Sequence, residues 1–219
     1  MGFVTLVRHG QANGSAQDET GYDRLSPLGH QQAQWLGDYF NAAGEMHARV
    51  YCGTLRRHRE TLEGIAPKGT AEPVFDPRLN ELEYFTMAHL LEAQHGVPLP
   101  TDREGFVTHL PRLFGAWQAG ELDGAPESFD AFETRVRSVI EEIAAGQGRA
   151  LVVTSGGLIG MAMRTVMGLD LGAMAHLCLA IENSSVHRVQ RLSTGLAVTQ
   201  FNALPHLDTP ERAHARSHL

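Results

Sequence analysis

An arginine, a histidine and a glycine stand in a row at Arg8-His9-Gly10, directly after the apolar run Phe3-Val4-Thr5-Leu6-Val7. A guanidinium presents a planar fork of donors that fits the oxygens of a phosphate, and a neutral imidazole is a nucleophile near neutral pH. Side by side, the two groups could hold a phosphate monoester and accept its phosphoryl group. The preceding run is short and β-branched, which suits a buried strand of a parallel sheet, and open α/β sheets bind ligands beyond the carboxyl ends of such strands. Gly10 would let the chain turn there and let a ligand come close to the backbone.

Three later stretches carry matching chemistry. Arg56-Arg57-His58-Arg59 crowd the first turn of a helix predicted from Leu55 to Ile65. Cations there oppose the helix dipole, a conflict that a bound anion would relieve. The segment from Asp76 to Phe85 holds two glutamates, Glu81 and Glu83, able to move a proton. Ala150-Leu151-Val152-Val153 reads as a buried strand, Thr154-Ser155-Gly156-Gly157 as a glycine-rich turn, and Leu158 to Met167 as a helix. Strand, glycine turn and helix together form an anion cradle.

These blocks resemble the histidine phosphatase superfamily, which includes the phosphoglycerate mutases. Arg8-His9-Gly10 is similar to its RHG signature. Gly53 to Thr61 resembles a block that reads Ser-Pro-Leu-x-Arg-Ala-x-x-Thr, with Arg57 on the phosphate-binding arginine and Gly53-Thr54 in place of Ser-Pro. Glu81 falls on the proton-transfer carboxylate of a Leu-x-Glu block, with Glu83 as the fallback. The glycine turn resembles a block reading Val-Ser/Thr-His-Gly-Gly, and Ser155 stands where that block carries a second catalytic imidazole.

The resemblance implies an α/β fold of three layers, α/β/α, around a mostly parallel mixed central sheet. It implies a single domain over residues 1–219, with 86–125 as a helical insert roofing the pocket. The implied reaction passes a phosphoryl group from a small monoester to His9 and then to water, with Glu81 as the second catalytic residue. Arg8, Arg57, Ser155 and Gly156 would bind the phosphate. Ser155 can donate a neutral hydrogen bond but no charge. Losing one transition-state donor typically costs about 10²–10³ in rate, so the expectation is a weakened or specialised phosphatase, and Ser155→His should raise turnover. The alternatives are a non-catalytic phosphate-ligand binding protein or scaffold and, third, a phosphoglycerate mutase, for which 86–125 supplies few cations (Arg103 and Arg112). His30, His58 and His187 are the other imidazoles that could fill the gap. The place of His58 next to Arg57 on a helix directs it elsewhere.

The elements that must position these groups are legible around them. Ser26-Pro27 opens a helix carrying Ala33, Leu36, Phe40 and Ala43 on one face, stopped by Gly44. Ala48 to Cys52 and Pro73 to Phe75 are strand candidates. Phe106, Leu110, Leu113, Phe114 and Trp117 have helical spacing, and Ser128 caps an amphipathic helix through Ile143. Val186 opens a strand that pairs with Leu196 to Phe201 across Ser193-Thr194-Gly195. The polar tail after Asp208 is expected to be mobile.

Bulk properties narrow the partners. The formal net charge of -7 argues against nucleic acid and anionic membranes, so an anionic substrate needs a local arginine cluster. Cys52 and Cys178 read as free thiols. The twelve histidines lack metal-ligand spacing, so no metal and no cofactor is expected. Without a leader or an apolar span, a cytoplasmic location is the expectation. The partners expected are the small phosphorylated substrate and, left open, a second copy of the chain as a homodimer.

Overall fold

The computed structural model describes residues 2–69 and 72–218. Its centre is a six-stranded sheet built from β1 (Phe3–Arg8), β2 (Arg49–Cys52), β3 (Val74–Phe75), β4 (Arg149–Thr154), β5 (Val186–Leu192) and β6 (Gly195–Ala203). The strand order is β3-β2-β4-β1-β5-β6. β1 to β4 run parallel, while β5 and β6 are antiparallel additions on one side. The alternation of strand side chains divides the core in two. Val4, Leu6, Ala150 and Val152 face one layer, and Val7, Leu151 and Val153 face the other. All seven are apolar because both faces of the central strands are covered.

The second layer holds α2 (Pro27–Ala42) and α3 (Arg56–Ile65), which bury Leu36, Phe40, Leu62 and Ile65. Ser26 caps α2 by accepting from the Gly29 amide at 3.1 Å, and Pro27 occupies its first turn. The first layer holds α4 (Tyr84–His95), α5 (Arg103–Gln118), α6 (Phe129–Ala145), α7 (Gly156–Met167) and α8 (Leu171–Ala180). Ser128 caps α6, whose Phe132, Val136, Val139, Ile140 and Ile143 are all buried. Sequence patterning did not announce α8: it is apolar on nearly every side, so no stripe marks it. The α/β/α expectation holds, with helices on both faces and the carboxyl ends of β1, β2 and β4 opening on one edge.

The tail departs from expectation. Ala215 is fully buried with Leu204 and Leu207, against Leu28 and Trp35. The buried Gln32 amide donates to the Ala215 carbonyl at 2.7 Å, and the Ser217 carbonyl accepts from the Asn183 amide at 2.8 Å. A polar tail holds still when it supplies the acceptors that buried donors need. Gly10 also serves differently from expectation: a Cβ there would stand 2.4 Å from the Gly29 carbonyl oxygen, so it lets α2 pack on the loop after β1. Among the described residues no helix is long and apolar enough to cross a membrane.

Candidate active site

β1 and β4 pair in parallel with Arg8 opposite Thr154, and the His9 amide donates to the Thr154 carbonyl at 2.9 Å. The chain therefore leaves the sheet with His9 beside Ser155. Above this edge lies a cavity of about 910 Å³, with Arg8, His9, Arg57, Glu81 and Gly156 on its wall. Five of the six residues assigned to the site from sequence thus converge from four separate loops.

His9 is 2% exposed. Its Nδ1 lies 2.7 Å from the Gly10 carbonyl oxygen. A carbonyl only accepts, so Nδ1 carries the proton and Nε2 the lone pair. Burial, reinforced by the positive charges of Arg57 and Arg8 and by His58, holds the His9 pKa well below the ordinary 6.5. The ring is thereby kept in its nucleophilic form.

Arg8 and Arg57 are buried, at 5% and 2% exposed. Arg8 donates to the Ile181 carbonyl at 2.5 Å, and Arg57 donates to Asp23 Oδ1 at 3.0 Å while lying 5.1 Å from the Tyr22 ring centre. Among the described residues neither Nε finds an acceptor. Buried donors are nearly always paired. Two unspent guanidinium donors on one cavity wall suit an anion from solution.

The helix-dipole conflict at α3 is resolved differently from expectation. The carboxylate of Asp23 accepts from the Arg56 amide at 3.0 Å and from the Arg57 amide at 3.1 Å. The anion at that N-terminus belongs to the protein, and Arg57 reaches the cavity through its side chain alone. Arg56 and Arg59 face outward, with Arg56 on Glu60 and Arg59 over the Phe75 ring.

Glu81 is held at the start of α7. Its Oε2 accepts from the Gly157 amide at 2.8 Å and Oε1 from the Leu82 amide at 3.1 Å. A Cβ at Gly157 would stand 2.5 Å from Oε1, so only glycine leaves room for the carboxylate. Glu83 is exposed, accepts from Thr86 and is not on this wall. Sequence reasoning missed Glu19, on the short α1 (Glu19–Tyr22) within what reads as a loop. Glu19 lines the cavity, accepts from the Phe85 amide at 2.8 Å, and burial raises its pKa. Its one sequence signal is the helix start at Asp18, which caps Gly21.

Ser155 is fully buried and is not among the residues that line the cavity. Its hydroxyl engages His58 Nε2 at 2.6 Å. The expectation that His58 points elsewhere is thus corrected. Both Arg57 and His58 face inward, because the first turn of α3 is enclosed between β2, β4 and the loop after β1. His30 is half exposed near Glu60, and His187 engages Ser185, so neither reaches the site.

The upper wall is largely apolar. Tyr84, Phe85, Leu99, Phe106, Leu110 and Phe114 line it, with Arg216, Ser217 and His218 contributed by the tail. Among the described residues no cluster of three or more His, Cys, Asp or Glu is placed to hold a metal. The arrangement combines a neutral imidazole, two cations and a carboxylate around one space, groups of the kind that phosphoryl transfer uses.

Comparison with known proteins agrees with this chemistry. A family model for the histidine phosphatase superfamily (branch 1) matches residues 4–204. A probable phosphoglycerate mutase, GpmB, of Shigella dysenteriae is 30% identical over 94% of this chain and 95% of its own length. A phosphoserine phosphatase from Entamoeba histolytica, solved with phosphoserine, superposes with a TM-score of 0.68 at 18% identity, over 94% of this chain and all of that one. A phosphoglycerate mutase from Bacillus anthracis gives 0.65 at 19%, over 93% and 94%. Hydrolases and mutases share the fold, so the fold does not choose between them.

Proposed function

The chain belongs to the histidine phosphatase superfamily, and on that premise we propose that it hydrolyses small phosphate monoesters through a phosphohistidine at His9. One observation carries the reading: a buried, neutral imidazole with Nε2 unprotonated, beside two buried guanidiniums whose Nε donors are unspent. The Nε2 lone pair attacks phosphorus, and the ester P–O bond breaks as Glu81 gives its proton to the leaving alkoxide. Water then attacks phosphorus as Glu81 takes a proton from it, the P–N bond breaks with its electron pair returning to Nε2, and His9 is regenerated. Arg8 and Arg57 neutralise the non-bridging oxygens, and Gly156 opens the helix whose N-terminus favours the anion. The large part of the wall contributed by Phe106, Leu110 and Phe114 supports the reading of 86–125 as the roof that selects the substrate.

A mutase is the second reading, since Arg103 and Arg216 also reach the wall. They are outnumbered by Glu19, Glu92 and Asp102, and Arg216 is paired with Asp208. A second phosphate or carboxylate would meet as much repulsion as attraction, while an apolar body would meet the aromatic roof. An aryl phosphate should therefore be hydrolysed with a kcat/KM at least about tenfold above that of 3-phosphoglycerate, equal to about 1.4 kcal/mol of discrimination. Phosphate release and isomer formation are measured in parallel. Conversion of 3-phosphoglycerate to its 2-isomer faster than any phosphate release would reverse the order of the two readings.

The pH behaviour of the nucleophile follows from its lowered pKa. A group whose pKa is depressed stays deprotonated below its ordinary midpoint, so His9 remains neutral as pH falls through 6.5. In an NMR titration its Cε1 proton should hold a constant shift from pH 8 to 6. A midpoint near 6.5 would contradict the burial and charge described above.

A further inference from the structure

We propose that His58 supplies the second imidazole of this site, as a positioning residue acting through Ser155. The assignment rests on the hydrolytic reading above and goes beyond it. The His58 ring is wholly buried between the ends of β2 and β4, its centre 5.8 Å from that of His9. Nε2 lies 2.6 Å from Ser155 Oγ, while Nδ1 has no partner among the described residues. In a neutral imidazole one nitrogen bears the proton. Here it belongs on Nε2, the nitrogen with an acceptor, so His58 donates to Ser155. The serine hydroxyl hydrogen then has no acceptor among the described residues, in a residue that the sheet register sets beside His9. A phosphoryl oxygen on His9 is the acceptor it would serve.

Three positions support one another. Nδ1 stands 2.1 Å from where a Cβ on Gly53 would be, so the ring fits only because residue 53 is glycine. The family block carries Ser at that position, Ala at position 58 and His at position 155. This chain carries Gly53, His58 and Ser155. Relative to that block the large and small side chains are exchanged between positions 58 and 155, and the imidazole comes from α3 instead of from the turn after β4. A random loss of the second histidine would call for neither Gly53 nor a buried His58.

The test compares wild type with His58→Ala, His58→Gln, Ser155→His and the double variant His58→Ala/Ser155→His. Each is assayed for kcat and KM on an aryl phosphate, for the dissociation constant of inorganic phosphate by calorimetry, and for Tm. His58→Ala should lower kcat about a hundredfold with KM changed less than about threefold, the size of one lost transition-state donor. His58→Gln, whose amide can still donate to Ser155, should recover part of that loss. Ser155→His alone should lower turnover, because two imidazoles cannot share the space, which reverses the expectation from sequence. The double variant should exceed Ser155→His at least about tenfold, a comparison that stands even if His58→Ala does not fold. A folded His58→Ala with wild-type kcat, or a double variant no better than Ser155→His, would overturn the assignment. If wild type released no phosphate, the hydrolytic reading would fail, while a phosphate affinity lost in Ser155→His and regained in the double variant would still uphold the role of His58.

Discussion

Replacing His9 with Ala is expected to lower kcat by about 10⁴–10⁶-fold, the scale seen when a covalent nucleophile is removed from a site whose other parts persist. The geometry explains why little activity should survive. Nε2 of His9 offers a neutral lone pair on the cavity wall, aligned by its own ring through Nδ1 and the Gly10 carbonyl. Water attacking phosphorus directly would have no equivalent positioning. Binding should fare differently. Arg8 and Arg57 are anchored by the Ile181 carbonyl and Asp23, not by His9, so inorganic phosphate should still bind within about tenfold of the wild-type affinity. A protein that merely holds a phosphate ligand would show no turnover in either form. Steady-state phosphate release and calorimetry on the same preparations separate these outcomes.

Replacing Glu81 with Gln is expected to lower kcat by about 10²–10⁴-fold on an alkyl phosphate, the usual contribution of a placed acid–base. The amide oxygen of Gln can still accept from the Gly157 amide, so the start of α7 should keep its shape. What disappears is the proton. An alkoxide needs one to depart, whereas nitrophenolate leaves without help. The loss in the first step should therefore be small on nitrophenyl phosphate and large on an alkyl ester. With the nitrophenyl ester the phosphorylated form should accumulate, because the second step still needs a base to take a proton from water. Rapid mixing would show this as a burst of nitrophenolate followed by a slow phase. Equal losses in the first step on both esters would move the proton transfer to another group, such as Glu19 on the same wall.

The parts of the site that were legible in the sequence share one property: each sits at a strand end or turn where an unusual residue type stands out. Arg8 and His9 follow the apolar run of β1, Gly156 follows that of β4 across Thr154-Ser155, Glu81 lies in the turn after Leu79-Asn80, and Arg57 contradicts the dipole of its own helix. The β-strands were legible because buried parallel strands are apolar on both faces, as Val4 to Val7 and Ala150 to Val153 are. What escaped depends on distance in space. Asp23 caps a helix thirty-odd residues further along the chain, which no local pattern announces. Glu19 reads as one more acid in a polar loop. The tail is polar, yet Gln32 and Asn183 hold its carbonyls. His58 was directed away by the rule that neighbours on a helix face differently. That rule fails where the first turn is enclosed on both sides, so that adjacent residues are both buried.

The covalent intermediate is the centre of the account, and trapping it is the most direct measurement. The protein is mixed with a monoester carrying radiolabelled phosphate, quenched in alkali within milliseconds, digested, and the labelled peptide sequenced. Label on His9, stable to base and lost in acid, forming and decaying as fast as phosphate is released, is the result predicted. Steady release of phosphate with no labelled protein, or label on a peptide that lacks His9, would contradict it.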